Sequence, residues 1–262
     1  MNRFHFNATL LAIALAGTAG CSHAEEPGEI KDRPAVIDTV EAHGLEVLGE
    51  FDAPGGLRGF ASLAGGQQPV AVYVTPDGEH ALVGTMVNTH GVDVGQEPLQ
   101  RLVAKPMTER IWSQLEDSTW VADGHDDAPR VVYTFSDPNC PFCNRLWEAS
   151  RPWVDSGKVQ VRHIMVGVIK ADSANKVAQI LTAPSPSEML TRNEQNYASG
   201  GIEGLPTVPA EVAGQLDANH RLMRELGFQG TPGILFQDEN GLVQRRSGLP
   251  APDDMPNVFG PR

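Results

Sequence analysis

The residues of this sequence best suited to chemistry are the two cysteines of Asp137-Pro138-Asn139-Cys140-Pro141-Phe142-Cys143. They lie between a run that reads as a buried strand and one that reads as an amphipathic helix. Pro141 suits the first position of that helix, where its missing N–H is no loss. Cys140 then stands at the helix N-terminus, facing unpaired backbone N–H groups and the positive end of the helix dipole. A thiolate is stabilised there, so its pKa falls and it becomes both a nucleophile and a good leaving group. Cys143 lies one turn deeper on the same face, within reach of a local disulfide. The spacing therefore predicts a dithiol in which Cys140 attacks or is attacked and Cys143 resolves the mixed disulfide.

Two other uses of the pair fit less well. Zinc takes about four ligands. The chain has one C-x-x-C, with His125, His163 and His220 scattered, so neither a metal nor a cofactor is expected. A structural disulfide gains stability by closing a long loop, and this pair closes almost nothing. Gly230-Thr231-Pro232-Gly233 is the second constellation. By itself it reads as an ordinary turn, since few X–Pro bonds are cis. Its place before the final hairpin of a strand–C-x-x-C–helix domain favours a cis Pro232 instead. That would bring an extended backbone edge beside the cysteines, able to pair with a substrate strand.

These residues need a scaffold. Arg130–Phe135 is a β-branched and aromatic run suited to a strand buried on both faces. Pro141–Val154 has helical spacing with Pro152 kinking or closing it, and Val159–Ile169 reads as the next strand. The β–α–β order implies a parallel pair with a crossover helix. Residues 170–226 are helical in flavour. A hairpin is expected for Ile234–Phe236 and Leu242–Gln244 across Asp238-Glu239-Asn240-Gly241. Upstream, Val36–His43 reads as a helix stopped by Gly44, followed by strands at Leu45–Phe51, Leu57–Leu63, Val70–Val74 and Ala81–Val87. Thr75-Pro76-Asp77-Gly78 is a turn between the last two. Pro98–Glu116 has helical spacing interrupted by Pro106, as in a connecting helix or pair of helices.

The 262 residues carry 20 Lys and Arg against 33 Asp and Glu, a net charge of −13. No basic cluster is present, which excludes a nucleic-acid partner and an anionic membrane surface. The first two dozen residues read as an export signal, with Arg3 ahead of an apolar run from Ala8 to about Ala19. That run is too short for a bilayer span, which needs about 20 residues. Two cleavage readings are open. Ser22-His23-Ala24 suits signal peptidase, and Thr18-Ala19-Gly20-Cys21 resembles a lipobox that would leave Cys21 lipidated, with Thr18 departing from the usual aliphatic residue. Either way Cys21 takes no part in redox chemistry, and the remaining pair enters an oxidising compartment.

At these motifs the chain resembles the DsbC/DsbG family of periplasmic thiol:disulfide interchange proteins. The resemblance covers nearly the whole mature chain: Asp52-Ala53-Pro54-Gly55-Gly56, Thr75-Pro76-Asp77-Gly78, Asp137-Pro138, the C-P-F-C motif, the Arg151–Val159 segment, Val166-Gly167-Val168-Ile169 and Thr231-Pro232. Pro141 favours the DsbG branch, and Phe142 departs from the tyrosine usual beside it. The resemblance implies an α+β / α/β chain. A signal would occupy residues 1–24, a small cystatin-like dimerisation domain residues 25–95 and a linker helix residues 96–117. A thioredoxin-like domain would fill residues 118–262, with a helical insertion at about 170–226. It also implies a V-shaped homodimer acting as periplasmic reductase, isomerase and chaperone on exported clients, including clients with sulfenylated cysteines. A membrane electron donor of the DsbD type would keep it reduced. Catalytic roles fall to Cys140 and Cys143, substrate binding to Thr231 and Pro232, and support to Pro141 and Phe142. A disulfide-donating oxidase using the same cysteines is the enzymatic alternative, and the separate N-terminal domain argues against it. A redox-inactive holdase is the non-enzymatic one. Cys→Ala variants separate the classes, because a holdase keeps suppressing aggregation without its thiols.

Overall fold

The computed structural model describes residue 30, residues 32–66 and residues 68–262. The expected export signal and Cys21 lie outside the described residues. Helix α1 (Ala35–Ala42) ends at Gly44, whose φ of 92° suits a residue without a Cβ. It is followed by an antiparallel meander of β1 (Leu45–Asp52), β2 (Arg58–Ala64), β3 (Gln68–Val74) and β4 (Ala81–Val83). Ile37 and Val40 of α1 pack on Phe60, Val72 and Val74. Gly78 N–H closes the turn between β3 and β4 on the Thr75 carbonyl at 2.8 Å. Strand β4 stops at Val83, short of the Val87 expected from its apolar residues; Val87 makes only an isolated bridge to Asp93.

The chain divides between Pro98 and Leu99 into two compact units. Helix α2 (Gln96–Leu99), a widened π turn at Gln100–Ala104 and α3 (Lys105–Glu116) follow without a break. Pro106 does not interrupt this helix as its residue type suggests. It is the second residue of α3, directly after the π turn, whose wider winding gives the ring room within a continuous helix.

In the second unit the strand order is β5 (Trp120–Asp123), β7 (Val159–Met165), β6 (Arg130–Ser136), β8 (Gly233–Gln237) and β9 (Val243–Ser247). β6 pairs parallel with β7, placing Thr134 beside His163, and antiparallel with β8, placing Thr134 beside Ile234. This central strand is buried on both faces, as its composition requires. The crossover is α4 (Pro141–Val154), whose Leu146, Trp153 and Val154 pack on Val132, Val161 and Phe236. Leu115 of α3 and Met223 of α7 (Ala210–Glu225) cover the other face against Tyr133, Phe135 and Leu235. Complete burial of a side chain such as Phe135 contributes about 1.5–3 kcal/mol. The insertion between β7 and β8 comprises α5 (Ser173–Leu181), α6 (Pro186–Gln195) and α7. The strand expected to run to Ile169 ends at Met165, because the Val168 and Ile169 N–H groups turn to the Asp137 carboxylate. β5 and the closing helix α8 (Met255–Phe259) have too few residues to show a period in the sequence.

Candidate active site

Strand β6 delivers the chain to Asp137, and a tight turn carries it into α4. Cys140 N–H donates to the Asp137 carbonyl at 3.0 Å, and the Cys140 carbonyl accepts the first helical bond from Asn144 N–H at 3.2 Å. Cys140 is thus the N-cap, extended at φ −82° and ψ 118°, with Pro141 at the first helical position. Both cysteines are free and buried. The Thr231–Pro232 peptide is cis, and the Thr231 carbonyl accepts from Cys140 Sγ at 3.4 Å. The helix N-terminus and the segment ahead of β8 meet at the sulfurs. The Thr231 hydroxyl is buried with no other hydrogen-bond partner and is free to serve the Cys140 sulfur.

The two thiols have opposite acidities. The Cys143 S–H beside Cys140 does most to lower the Cys140 pKa, to about 6. Burial opposes this, while the Thr231 hydroxyl and the Cys143 and Phe142 amides add to it. Burial pushes Cys143 well above the ordinary thiol value, and the nearby Cys140 sulfur pushes it further. Phe142 is 49% exposed, with the Arg145 guanidinium 5.3 Å from its ring centroid. Pro141 is exposed beside it. These two residues are the first two of α4, with their side chains exposed.

A polar network lies in the turn before Cys140, and neither residue type nor spacing points to it. Buried Asp137 accepts four bonds. Asn139 N–H and Ser173 Oγ, each at 2.9 Å, donate to Oδ1; Val168 N–H at 2.7 Å and Ile169 N–H at 3.0 Å donate to Oδ2. Asn193 Nδ2 donates to the Pro138 carbonyl at 3.1 Å, and Tyr197 O–H donates to the Asn139 carbonyl at 3.1 Å. Behind α4, buried Glu194 accepts from Asn144 Nδ2 at 2.9 Å, and burial raises its pKa. His163 bonds Ser136 Oγ at 3.1 Å through Nδ1, with Nε2 3.6 Å from Asp123. Burial pushes Asp123 up, but His163 and Arg151 beside it hold its carboxyl below the ordinary range. His163 is therefore a packed core residue, in keeping with its scatter from the other histidines. The one signal for the rest is polar residues on apolar helix faces, such as Lys176 three positions after Ser173 and four before Ile180.

The thioredoxin-like domain family matches residues 121–259. A thiol:disulfide interchange protein DsbG of Pseudomonas aeruginosa is 46% identical over 88% of this chain and 90% of its own. The DsbG of Escherichia coli is 38% identical over 88% of this chain and 92% of its own. A probable thiol:disulfide interchange protein DsbC of Bordetella pertussis is 28% identical over 55% of this chain and 47% of its own.

Proposed function

The chain belongs to the DsbG family of thiol:disulfide interchange enzymes, and we propose that it reduces and isomerises disulfides of exported proteins in the periplasm, with Cys140 as nucleophile. The observation that carries this reading is the thiol asymmetry. Cys140, lowered to about 6, is largely thiolate at neutral pH, whereas Cys143 holds its proton. The Cys140 thiolate attacks a client disulfide, forming a new S–S bond and releasing one client sulfur as thiolate. That thiolate attacks another cystine of the client, and the client thiolate so freed displaces Cys140 from the mixed disulfide, which completes isomerisation and regenerates the Cys140 thiolate. Alternatively Cys143 attacks Cys140, releases the client thiol and leaves the Cys140–Cys143 disulfide. A DsbD-type membrane donor then returns two electrons. With a sulfenylated client, the same thiolate attacks sulfur and hydroxide leaves, taking a proton to become water. The Thr231-Pro232 edge holds the client strand beside Cys140, and Pro141 and Phe142 border it. No helix among the described residues is long and apolar enough to cross a membrane. Cys21, where retained, would tether the chain by lipid.

In cells, acid quenching followed by alkylation should find Cys140–Cys143 reduced, and oxidised once the membrane donor is deleted. A pair found oxidised with the donor present would transfer the assignment to the disulfide-donating oxidase.

The homodimer is assigned to the first unit. Its edge strand β4 leaves Leu82 58% and Val83 49% exposed, with Val87 and Val92 also exposed. Static light scattering should give twice the chain mass for the full protein and one chain mass for a fragment beginning at Leu99. The fragment should reduce small disulfides but lose most isomerisation and aggregation suppression, which need two domains around one client. It must include α3, because Leu115 is fully buried against the catalytic sheet. A monomeric full-length protein would remove the dimer and the shared cleft.

A further inference from the structure

Lys176 on α5 is 5% exposed. A buried ammonium is stable only when its donors are met. Its Nζ donates to Asn139 Oδ1 at 2.8 Å and to the Gly200 carbonyl at 2.6 Å, and lies 3.4 Å from Asp172 Oδ2. The Asn139 side-chain amide is itself used up: Nδ2 donates to Asp172 Oδ1 and Ser173 Oγ, each at 2.9 Å. Its backbone N–H is held by Asp137 and its carbonyl by Tyr197. Asn139 is thus fixed on all sides, and every partner except Asp137 comes from the insertion. The next residue is Cys140.

We propose that Lys176 is a positioning residue for the nucleophile: with Asp172 it locks Asn139, and so fixes the backbone that presents Cys140 Sγ to the first amides of α4. The proposal rests on Cys140 being the nucleophile. Stabilisation of a thiolate by N–H groups falls off steeply with misalignment, so a loosened Asn139 weakens it even though no contact to sulfur is removed. A positive charge near Cys140 would also favour the thiolate by Coulomb attraction alone, and the two accounts diverge at Asp172. Removing this anion favours the thiolate if only charge matters, but disfavours it if the lock matters. The other ionisable groups around the turn are Asp137, Tyr197, Glu194 and Cys143.

The test uses the full, reduced chain with both cysteines in place. Alkylation by iodoacetamide is followed against pH and mapped to Cys140 by mass spectrometry. Lys176→Met should raise the midpoint and slow alkylation at pH 6 by about two- to fivefold, from the thiolate fraction. Asp172→Ala, at a half-exposed position, should also raise the midpoint. It decides the case if Lys176→Met fails to fold. A midpoint that falls or stays put in Asp172→Ala overturns the positioning role. So does an unmoved midpoint in folded Lys176→Met. A parent chain whose Cys140 titrates like an ordinary thiol would overturn the nucleophile assignment itself, and this proposal with it.

Discussion

A Cys143→Ala chain is expected to lose its reductase turnover and to accumulate as mixed disulfides with its clients. Resolution needs a sulfur that can reach the Cys140–client bond, and Cys143 is the other thiol at the helix start. Without it, escape depends on an external thiol or on another cysteine of the client. The substitution has a second effect of opposite sense. The Cys143 S–H is the largest cause of the low Cys140 pKa, so its loss should move the midpoint upward from about 6. The Phe142 and residue-143 amides remain, which keeps the midpoint below the free-thiol value of about 8.5. A group titrating near 6 is about nine-tenths thiolate at pH 7, and one titrating near 8 about one-tenth. For a midpoint near 8, attack at pH 7 should therefore slow about tenfold, tempered by the higher intrinsic nucleophilicity of a more basic sulfur. Non-reducing gels of the variant should show client adducts, and absorbance at 240 nm against pH gives the midpoint. Continued turnover without adducts would contradict the resolving role. A midpoint unmoved from about 6 would contradict the sulfur–sulfur hydrogen bond.

Asp137→Ala should cause the largest loss of stability of any single change near the site. The carboxylate accepts bonds from Asn139 N–H, Ser173 Oγ, Val168 N–H and Ile169 N–H. Val168 and Ile169 are exposed and can turn their N–H groups to water, whereas Asn139 and Ser173 are buried. Two buried donors left unpaired cost about 1–3 kcal/mol each. A loss of about 3 kcal/mol lowers the melting temperature of a unit this size by about 6–12 °C. Asp137→Asn should lose less, because its Oδ1 can still accept from buried Asn139 N–H and Ser173 Oγ while its Nδ2 faces only the Val168 and Ile169 N–H groups, which can turn to water. Calorimetry of the reduced chain checks both variants. An Asp137→Ala melting temperature within a degree or two of the parent would show that the carboxylate does not hold the turn.

The dithiol and its helix were legible because their determinants are local. Proline at the first helical position, two cysteines one turn apart and a β-branched strand just upstream each act within a few residues. Thr231-Pro232 was legible only through its place in that order of elements; nothing in the dipeptide sets it beside Cys140, 91 positions away. The ends of β4 and β7 were misplaced because apolar side chains continue past the last ladder bond, and a competing acceptor, Asp137, decides where β7 stops. Pro106 did not break its helix, since one widened turn removes the clash that a regular ladder would impose.

The sequence by itself determined the C-x-x-C pair at a helix start and the strand–helix–strand frame, both of which depend on neighbours in the chain, and the net negative charge, which depends on composition alone. Only the tertiary structure decided which polar residues hold the turn before Cys140. Asp137, Asn139, Lys176 and Tyr197 come from segments up to 60 residues apart. A buried polar group takes its meaning from the partner that satisfies it, and that partner is set by packing, which residue type and spacing do not encode.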